Sequence, residues 1–464
     1  MYKKLLIIAA MFIIVRLLII LAYKDTYYYY GMVSSQFAIA EAAYHGHWFS
    51  QDKMLVTAVR KEALKNNRYI PIEDWKDYQG SGNYTTFPAQ DLPGFGYLIA
   101  FTSKYFSHKL TSKYAFAVQI ILELISVLIF IYCISLVLGA RIAFLSGLIY
   151  VLSYPFIWPI ASQPMRDIFV MAIYSFCIAA FFIFSRKNDT FSYLTAYFLV
   201  AMSSVLLWVR PFGYYFFFMI SPLIFFIRNK SALSRLMFFI IVIISPVLIF
   251  GYQFKQFNVK HYGVADTHFL GRALWEGMGN VKDNPYGFVL DDGALVPWVK
   301  NFYKKDVEYS SPEMNKVLGD YALKVIREDP VFYFRTIIIR CKAILKCPLH
   351  LIYTTPLPQV TLEKSGLSLM EYMKQYPKDF VYSVFNGLAG IIFFYLGLIF
   401  AFLMFISLKD IRLKLVILVS PLLYTLTAQI LIHFEPRFLA TGAWVLIVPF
   451  AWYIDKMLYS KKRI

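Results

Sequence analysis

Charged residues stand at the ends of long apolar segments in this chain, where charge is costly and usually marks function. Six of them form the strongest set: Asp25, Arg166, Asp167, Arg210, Glu435 and Arg437. An arginine side chain is a planar fork that can hold two phosphate oxygens at once. Gathered at one membrane face, these residues would form a polar cavity suited to a phosphate-bearing substrate.

Such a cavity needs a base if it activates a hydroxyl, and the first long polar segment supplies acids for that role. A carboxylate near a low-dielectric surface has a raised pKa, which brings it toward the working pH of a general base. The candidates are Asp25, Asp91 and Glu41, with Asp74 and Asp77 in the same segment. Spacing alone does not select among these acids.

The elements that must position these residues are membrane helices. Of the 464 residues, 59% are hydrophobic and only 16% are charged, a balance too apolar for a soluble chain. Apolar segments of about 20 residues can cross a bilayer as helices. They occur at 5–23, 115–138, 142–161, 167–185, 191–209, 212–227, 236–252, 382–407, 413–432 and 438–454. We expect an all-α polytopic membrane protein with about ten transmembrane helices.

The net charge of +18 is concentrated in the short connectors on one side of these segments. By the positive-inside rule, those connectors and both termini are cytoplasmic, in a multi-pass protein of the cytoplasmic membrane. Topology explains the charge, so the lipid bilayer is the expected partner and nucleic acid is not. The first segment resembles a signal peptide, but Arg16 interrupts it and no small-residue cleavage site follows, which favours a retained anchor.

Five regions follow from this topology. They are an anchor at 1–23, a first extracytoplasmic loop at 24–114, six spans at 115–252, a second extracytoplasmic loop at 253–381, and three spans with a short basic cytoplasmic tail at 382–464. The topology also places the candidate site on the extracytoplasmic side.

Interfacial helices are predicted in both long loops. Phe37 to Trp48 has apolar residues at helical spacing, which predicts an amphipathic helix at the membrane surface. Gly94 to Phe106 is apolar but too short to span comfortably, so we expect it to lie in the interface or to re-enter. Val331 to Tyr353 mixes cations with apolar residues, typical either of a helix beside anionic headgroups or of an ordinary surface helix.

Other kinds of site have weaker support. No phosphate-binding glycine motif follows a strand, and His45 and His47 lack a neighbouring cluster with zinc spacing. No metal or other cofactor is expected to be required; a divalent cation is compatible with the residues but not indicated by them. Arg16 and Glu123 lie within spans, and mutual pairing is favoured over an ion pathway.

Four short segments carry a resemblance to a known family. Phe37–Phe49 is similar to the juxtamembrane helix of GT-C integral-membrane glycosyltransferases, and Phe87–Leu98 is similar to their proline-rich segment. Trp208–Gly213 resembles their Arg-Pro at a helix end, and Glu435–Phe438 their Glu/His-x-Arg-Tyr near the last spans. In order and topology the chain resembles the bacterial protein-mannosyltransferase-like and aminoarabinose-transferase-like branch, of the family 39 type.

The resemblance implies a GT-C-like fold and an inverting transferase. Its donor would be a sugar on a polyprenyl phosphate, and its acceptor an extracytoplasmic glycan, lipid or protein. The three arginines would bind the phosphate, and an acid would activate the acceptor. The family's usual acid is absent from Val33–Phe37, which leaves Asp25, Asp91 and Glu41 open for that role.

Two other classes remain as alternatives. A polysaccharide polymerase or O-antigen-ligase-type enzyme would share many spans and large outer loops but would use diphosphate-linked glycans. A transporter or flippase would place its charges near mid-membrane, whereas these residues crowd the outer ends. The sequence leaves open the sugar, the acceptor, the carrier lipid, the oligomeric state and whether Cys341 and Cys347 pair.

Overall fold

The computed structural model describes most residues of the chain. They are 1–23, 30–52, 55, 82–86, 93–107, 109–152, 166–186, 189–210, 213–262, 270–281, 284–290, 294–304, 306–307, 311–346, 366–409, 414, 430–432 and 444–459.

Helices dominate these residues, with one short antiparallel ribbon. The first half contains α1 (Tyr2–Tyr23), α2 (Tyr30–Tyr44), β1 (Ser50–Asp52), β2 (Tyr84–Thr86), α3 (Gly94–Phe106), α4 (Lys113–Leu138), α5 (Ala140–Leu152), α6 (Asp167–Arg186), α7 (Thr190–Leu206) and α8 (Tyr214–Ile220) with a 3₁₀ turn at Ser221–Phe226. The second half contains α9 (Ala232–Pro246), a π-helical turn (Val247–Tyr252), α10 (Gln253–Tyr262), α11 (Leu270–Met278), α12 (Leu295–Tyr303), α13 (Pro312–Glu328), α14 (Pro330–Lys346), α15 (Leu369–Gln375), α16 (Pro377–Ser407), a 3₁₀ turn (Trp444–Leu446) and α17 (Ile447–Tyr459).

Three helices of the described part are long and apolar enough to cross a membrane. They are Lys113–Leu138, Ile168–Arg186 and Ala232–His261. A helix of 26 residues, such as the first of these, is about 39 Å long, more than the hydrocarbon core of a bilayer. The all-α membrane class is confirmed, while the count of ten spans stays a prediction.

The bundle is built around α6. Its side chains are buried through most of its length, and it packs against α4, α7 and α8. Helix α6 therefore has neighbours on nearly all sides, which explains why its sequence is apolar on every face. Charged residues stand at both ends of α6: Arg166 and Asp167 at its start and Arg186 at its end.

A buried ion pair joins three helices of the bundle. Arg16 of α1 donates to Glu123 of α4 from Nη2 at 2.5 Å and from Nε at 3.3 Å. The hydroxyl of Tyr150 in α5 donates to the same carboxylate at 2.7 Å. The predicted pairing of Arg16 with Glu123 is confirmed, and both residues are only 2% exposed.

Helices α2 and α3 form a layer against the bundle. The prediction of a one-sided surface helix at Phe37 to Trp48 is wrong in two respects: α2 ends at Tyr44, and every side chain from Phe37 to Ala43 is buried. The reason is the close approach of α3, whose Gly96 backbone N–H donates a hydrogen bond to Gln36 Oε1 of α2 at 3.0 Å. A Cβ at Gly96 would lie 2.8 Å from the Ile39 side chain. Helix α3 is a separate short helix, as its length predicted.

The segment predicted as the second outer loop contains a second core. Helix α10 continues the membrane helix ten residues past Tyr252, and α11 to α14 then enclose Trp275, Leu295, Leu318 and Phe332. Helix α14 links this core to the bundle. It buries a stripe at every fourth residue, which begins with Phe332 in the outer core and ends with Ile344 in the bundle core.

Candidate functional site

The amino end of α3 lies where α6 begins and α7 ends. The Gly94 backbone N–H donates to the carbonyl oxygen of Trp208 at 3.2 Å. The ring of Phe95 meets that of Phe169 edge to face, with centroids 5.9 Å apart. We call this end of the bundle, defined by Arg166, Arg210 and Gly94, the arginine end.

Arg166 and Arg210 reach this end for a topological reason. Helices α6 and α7 are consecutive, antiparallel and in contact, so the start of α6 and the end of α7 lie at the same end of the bundle. Arg166 is half-buried one residue before α6, and Arg210 is only 7% exposed, four residues past α7. Desolvating a guanidinium is costly, so a buried arginine indicates that its charge has a role.

The contact between α3 and Trp208 requires a glycine. A Cβ on Gly94 would lie 2.5 Å from the Trp208 carbonyl oxygen, a distance that backbone atoms do not tolerate. Gly213 plays a similar part at the start of α8, where a Cβ would lie 2.4 Å from Ile173 of α6. Two glycines thus allow the backbone on either side of Arg210 to pack closely.

Glu41 is the predicted base that the structure describes in full. It lies in the last turn of α2, 5% exposed, and contacts His45 Nε2 at 3.1 Å through Oε1. Burial raises the pKa of the Glu41 carboxyl, His45 lowers it in part, and the charge of Asp52 raises it. The shift brings Glu41 toward the working range of a general base.

Asp52 and Tyr84 complete the surroundings of Glu41. Asp52 ends β1, is fully buried and accepts the Leu55 backbone N–H at 3.2 Å. The ring of Tyr84 in β2 stacks on His47 at 4.4 Å. Burial raises the pKa of the Tyr84 phenol, and the charges of Glu41 and Asp52 raise it further. The cluster therefore holds two carboxylates, and the pKa of one of them, Glu41, is raised.

An aromatic layer continues from this cluster toward α10. Trp48 contacts Tyr97 of α3 at 5.2 Å, and Phe49 contacts Phe257 at 5.2 Å and His261 at 5.6 Å. Phe49 has φ of +116°, which is unfavourable for a bulky residue and persists only where packing enforces it. The layer therefore joins α3 to α10 through aromatic contacts, and Trp48 and Phe49 stay about half exposed.

Several predicted site residues lie outside the described residues. These are Asp25, Asp74, Asp77, Asp91, Glu435 and Arg437, and likewise Cys347, the predicted partner of Cys341. Asp167 opens α6, and its side chain also falls outside the description. The structure therefore places Arg166 and Arg210 at the same end of α6 and α7. Separately, it places Glu41 near Asp52. Convergence of the whole set stays a prediction.

Two residues near Glu41 were not predicted from the sequence as members of the site. Asp52 and Tyr84 come together only through the pairing of β1 with β2, in which they are register partners. No periodic signal marks a ribbon of three residues per strand, so this neighbourhood was not apparent. Within the described ranges, no group of three His, Cys, Asp or Glu side chains is placed to hold a metal ion. The expectation about metals stays a prediction.

Comparison with known proteins gives one structural similarity. No family model matches the chain, and no curated protein matches it. Among solved structures, the chain is similar to the crystal structure of ArnT from Cupriavidus metallidurans bound to undecaprenyl phosphate. The identity is 13% and the TM-score 0.39, over 97% of this chain and 79% of that chain. At this identity no residue role transfers, so the site is argued from this chain's own contacts.

Proposed function

We propose that this protein is a membrane glycosyltransferase. It moves a sugar from a polyprenyl-phosphate donor to an extracytoplasmic glycan, lipid or protein acceptor, without a required metal. The observation that carries the proposal is the arginine end, where Arg166 and the buried Arg210 lie at one end of two adjacent apolar helices. A phosphate attached to a lipid chain is the substrate for which such a position is suited, because its tail stays in the bilayer.

The chemistry is a displacement at the anomeric carbon. The acceptor hydroxyl oxygen forms a bond to that carbon from the face opposite the phosphate, and the bond from the carbon to the phosphate oxygen breaks with both electrons. The configuration inverts, and the lipid monophosphate leaves with an added negative charge. Arginines at 166, 210 and 437 stabilise that charge where it develops, which is the largest usual contribution to catalysis.

The proton of the acceptor hydroxyl passes to a carboxylate. Asp25, Asp91 and Glu41 are the candidates, and Glu41 has the support of burial and a raised pKa. A base with a pKa nearer the working pH accepts the proton with more driving force while staying ionised for part of the time. Asp167 and Glu435 have a different role in this scheme, since acids beside arginines orient the guanidinium groups.

The experiment is a transfer assay in membranes with radiolabelled polyprenyl-phosphate sugars. It compares the wild type with Asp25→Asn, Glu41→Gln and Asp91→Asn, and uses Glu328→Gln as the control, an exposed acid of α13. One of the three acid variants is expected to lose transfer while the control retains it. Transfer only from a diphosphate-linked glycan would overturn the donor class, and transfer by all variants would overturn the base.

A further inference from the structure

Helix α14 has an inward face and an outward face of different composition. The inward face consists of residues at intervals of four, all buried: Phe332, Thr336, Arg340 and Ile344. Arg335 and Lys342 are exposed on the same helix. The prediction of surface cations on this helix therefore holds for those two and is wrong for Arg340.

Hydrogen bonds hold the inward face in place. Arg340 Nη1 donates to the carbonyl oxygen of Ile432 at 2.7 Å, and the Tyr333 hydroxyl donates to that of Leu431 at 2.6 Å. Arg340 Nη2 also donates to Thr336 Oγ1 at 3.0 Å, which fixes the direction of the guanidinium. These contacts set the rotation of α14 about its own axis, and so they determine which side chains point outward.

The outward face is apolar along its whole length. Its side chains are Val331, Phe334, Ile338 and Leu345, which are 61%, 60%, 38% and 55% exposed. At 3.6 residues per turn they fall within one sector of about 60° around the helix. Arg335 and Lys342 border this sector on one side, within about 40° of Val331. An apolar stripe with cations along its edge is the pattern of a helix that lies at a membrane surface.

The charge of α14 is of one sign. Its 17 residues, Pro330–Lys346, include no acid. Asp329, just before the helix, already accepts hydrogen bonds from the Phe332 N–H and the Tyr286 hydroxyl. Those two bonds lower the pKa of the Asp329 carboxyl, and the charge of Arg335 adds a smaller effect. The outward face is therefore suited to a partner with negative charge.

The position of α14 brings this face to the membrane helices. Its amino end contributes Phe332 to the outer core, and its carboxyl end contributes Ile344 to the bundle core. The hydroxyl of Tyr395 in α16 donates to the carbonyl oxygen of Leu345. On either side of Tyr395, α16 exposes the apolar residues Ile392 and Leu396. The outward face of α14 therefore extends from the outer helices to an apolar surface of the bundle.

We propose that the outward face of α14 binds anionic phospholipids at the surface of the bilayer. The four apolar side chains insert below the headgroups, and Arg335 and Lys342 bind the lipid phosphates. A second copy of the chain fits this face less well, because pairing two such faces would bring like charges together. The inference goes beyond the proposed function, since lipid binding here does not depend on sugar transfer.

The test uses the full-length protein in phosphatidylcholine nanodiscs that contain a small fraction of photoreactive phosphatidylglycerol. Crosslinked peptides are quantified by mass spectrometry, and photoreactive phosphatidylcholine is the reference lipid. We expect crosslinks within 331–345, with phosphatidylglycerol favoured over phosphatidylcholine. A cation at an anionic surface contributes about fivefold in affinity, so Arg335→Gln with Lys342→Gln should lower phosphatidylglycerol crosslinking at α14 by about 25-fold.

The matched control is Lys316→Gln with Lys324→Gln, which removes the same charge from exposed positions of α13. It should leave crosslinking at α14 unchanged. Phe334→Gln tests the apolar half: this ring is exposed, so the fold should persist while crosslinking of both lipids at α14 falls. Equal losses in the two double variants would overturn the proposal in favour of net charge alone. Absence of lipid crosslinks at α14, or crosslinks there between two protein copies, would overturn it as well.

Discussion

The buried pair of Arg16 and Glu123 allows a stability prediction with a defined magnitude. Replacing Glu123 by alanine removes an acceptor that takes two hydrogen bonds from Arg16 and one from Tyr150. The guanidinium is then left in an apolar bundle without its counter-ion. Breaking a buried pair from one side typically costs about 3–5 kcal/mol, and an unsatisfied buried hydroxyl costs about 1–3 kcal/mol. These costs overlap, so we expect Glu123→Ala to lower the free energy of unfolding by about 4 kcal/mol.

The double variant Arg16→Met with Glu123→Met separates pairing from any other role. Both charges are removed together and replaced by apolar side chains that fit irregular cores, so the cost that remains should be that of the unpaired Tyr150 hydroxyl, about 1–3 kcal/mol relative to wild type. Unfolding is measured in mixed micelles by titration with dodecyl sulfate and far-UV circular dichroism. A cost below about 1 kcal/mol for Glu123→Ala, or a double variant no more stable than the single one, would show that the ion pair does not stabilise the bundle in this way. If the double variant retains transfer, the two charges are not an ion pathway.

Three further predictions concern the site and its supports. His45→Ala removes the hydrogen bond and the charge that lower the pKa of Glu41; if Glu41 is the base, the acid limb of kcat/KM moves to higher pH, and an unmoved limb would exclude it. Gly94→Ala places a Cβ 2.5 Å from the Trp208 carbonyl; transfer should fall and stability drop by about 1–3 kcal/mol, whereas unchanged values would contradict the close contact. Asp189→Ala removes the side chain that caps α7 and should cost about 0.5–2 kcal/mol in unfolding experiments without altering donor KM.

The helices were predictable because long apolar segments have few other structures available in a membrane. The segment 115–138 corresponds to α4, and 167–185 corresponds to α6, with agreement within a few residues at each end. The helix at Ala232–His261 extends further than the apolar segment predicted for it. Residues Gln253–Tyr262 are helical but polar, so hydropathy alone predicts an end near Tyr252. Composition identifies the membrane part of a helix and not its continuation beyond the membrane.

The packing of α2 was not predictable by the same reasoning. Ala38 and Ala42 are only weakly hydrophobic, so the sequence pattern predicts a helix with one apolar face and one exposed face. In the structure both alanines are fully buried. Small side chains allow a second helix to approach closely, as Gly96 does here. Hydropathy does not predict this role of alanine, because it describes the free energy of transfer from water and not how closely two helices can pack.

The partners of single charged residues were predictable only where few candidate partners exist. Arg16 and Glu123 were paired correctly because few charged groups lie inside spans, and each has few possible partners. Arg340 was expected on the surface because cations on a mixed helix usually are. Its partners are carbonyl groups 91 and 92 residues away. Every residue has a carbonyl, so no sequence signal distinguishes those two.

The most direct test of the account is sugar transfer by the purified protein in liposomes, with Arg210→Ala as the comparison. Labelled polyprenyl-phosphate sugars are the donors, and far-UV circular dichroism checks that both proteins are folded. We predict transfer by the wild type and a loss of about a hundredfold or more in Arg210→Ala, as for removal of one group that stabilises developing charge. Equal transfer by both proteins would contradict the phosphate site at the arginine end. No transfer from any monophosphate donor would contradict the proposed reaction.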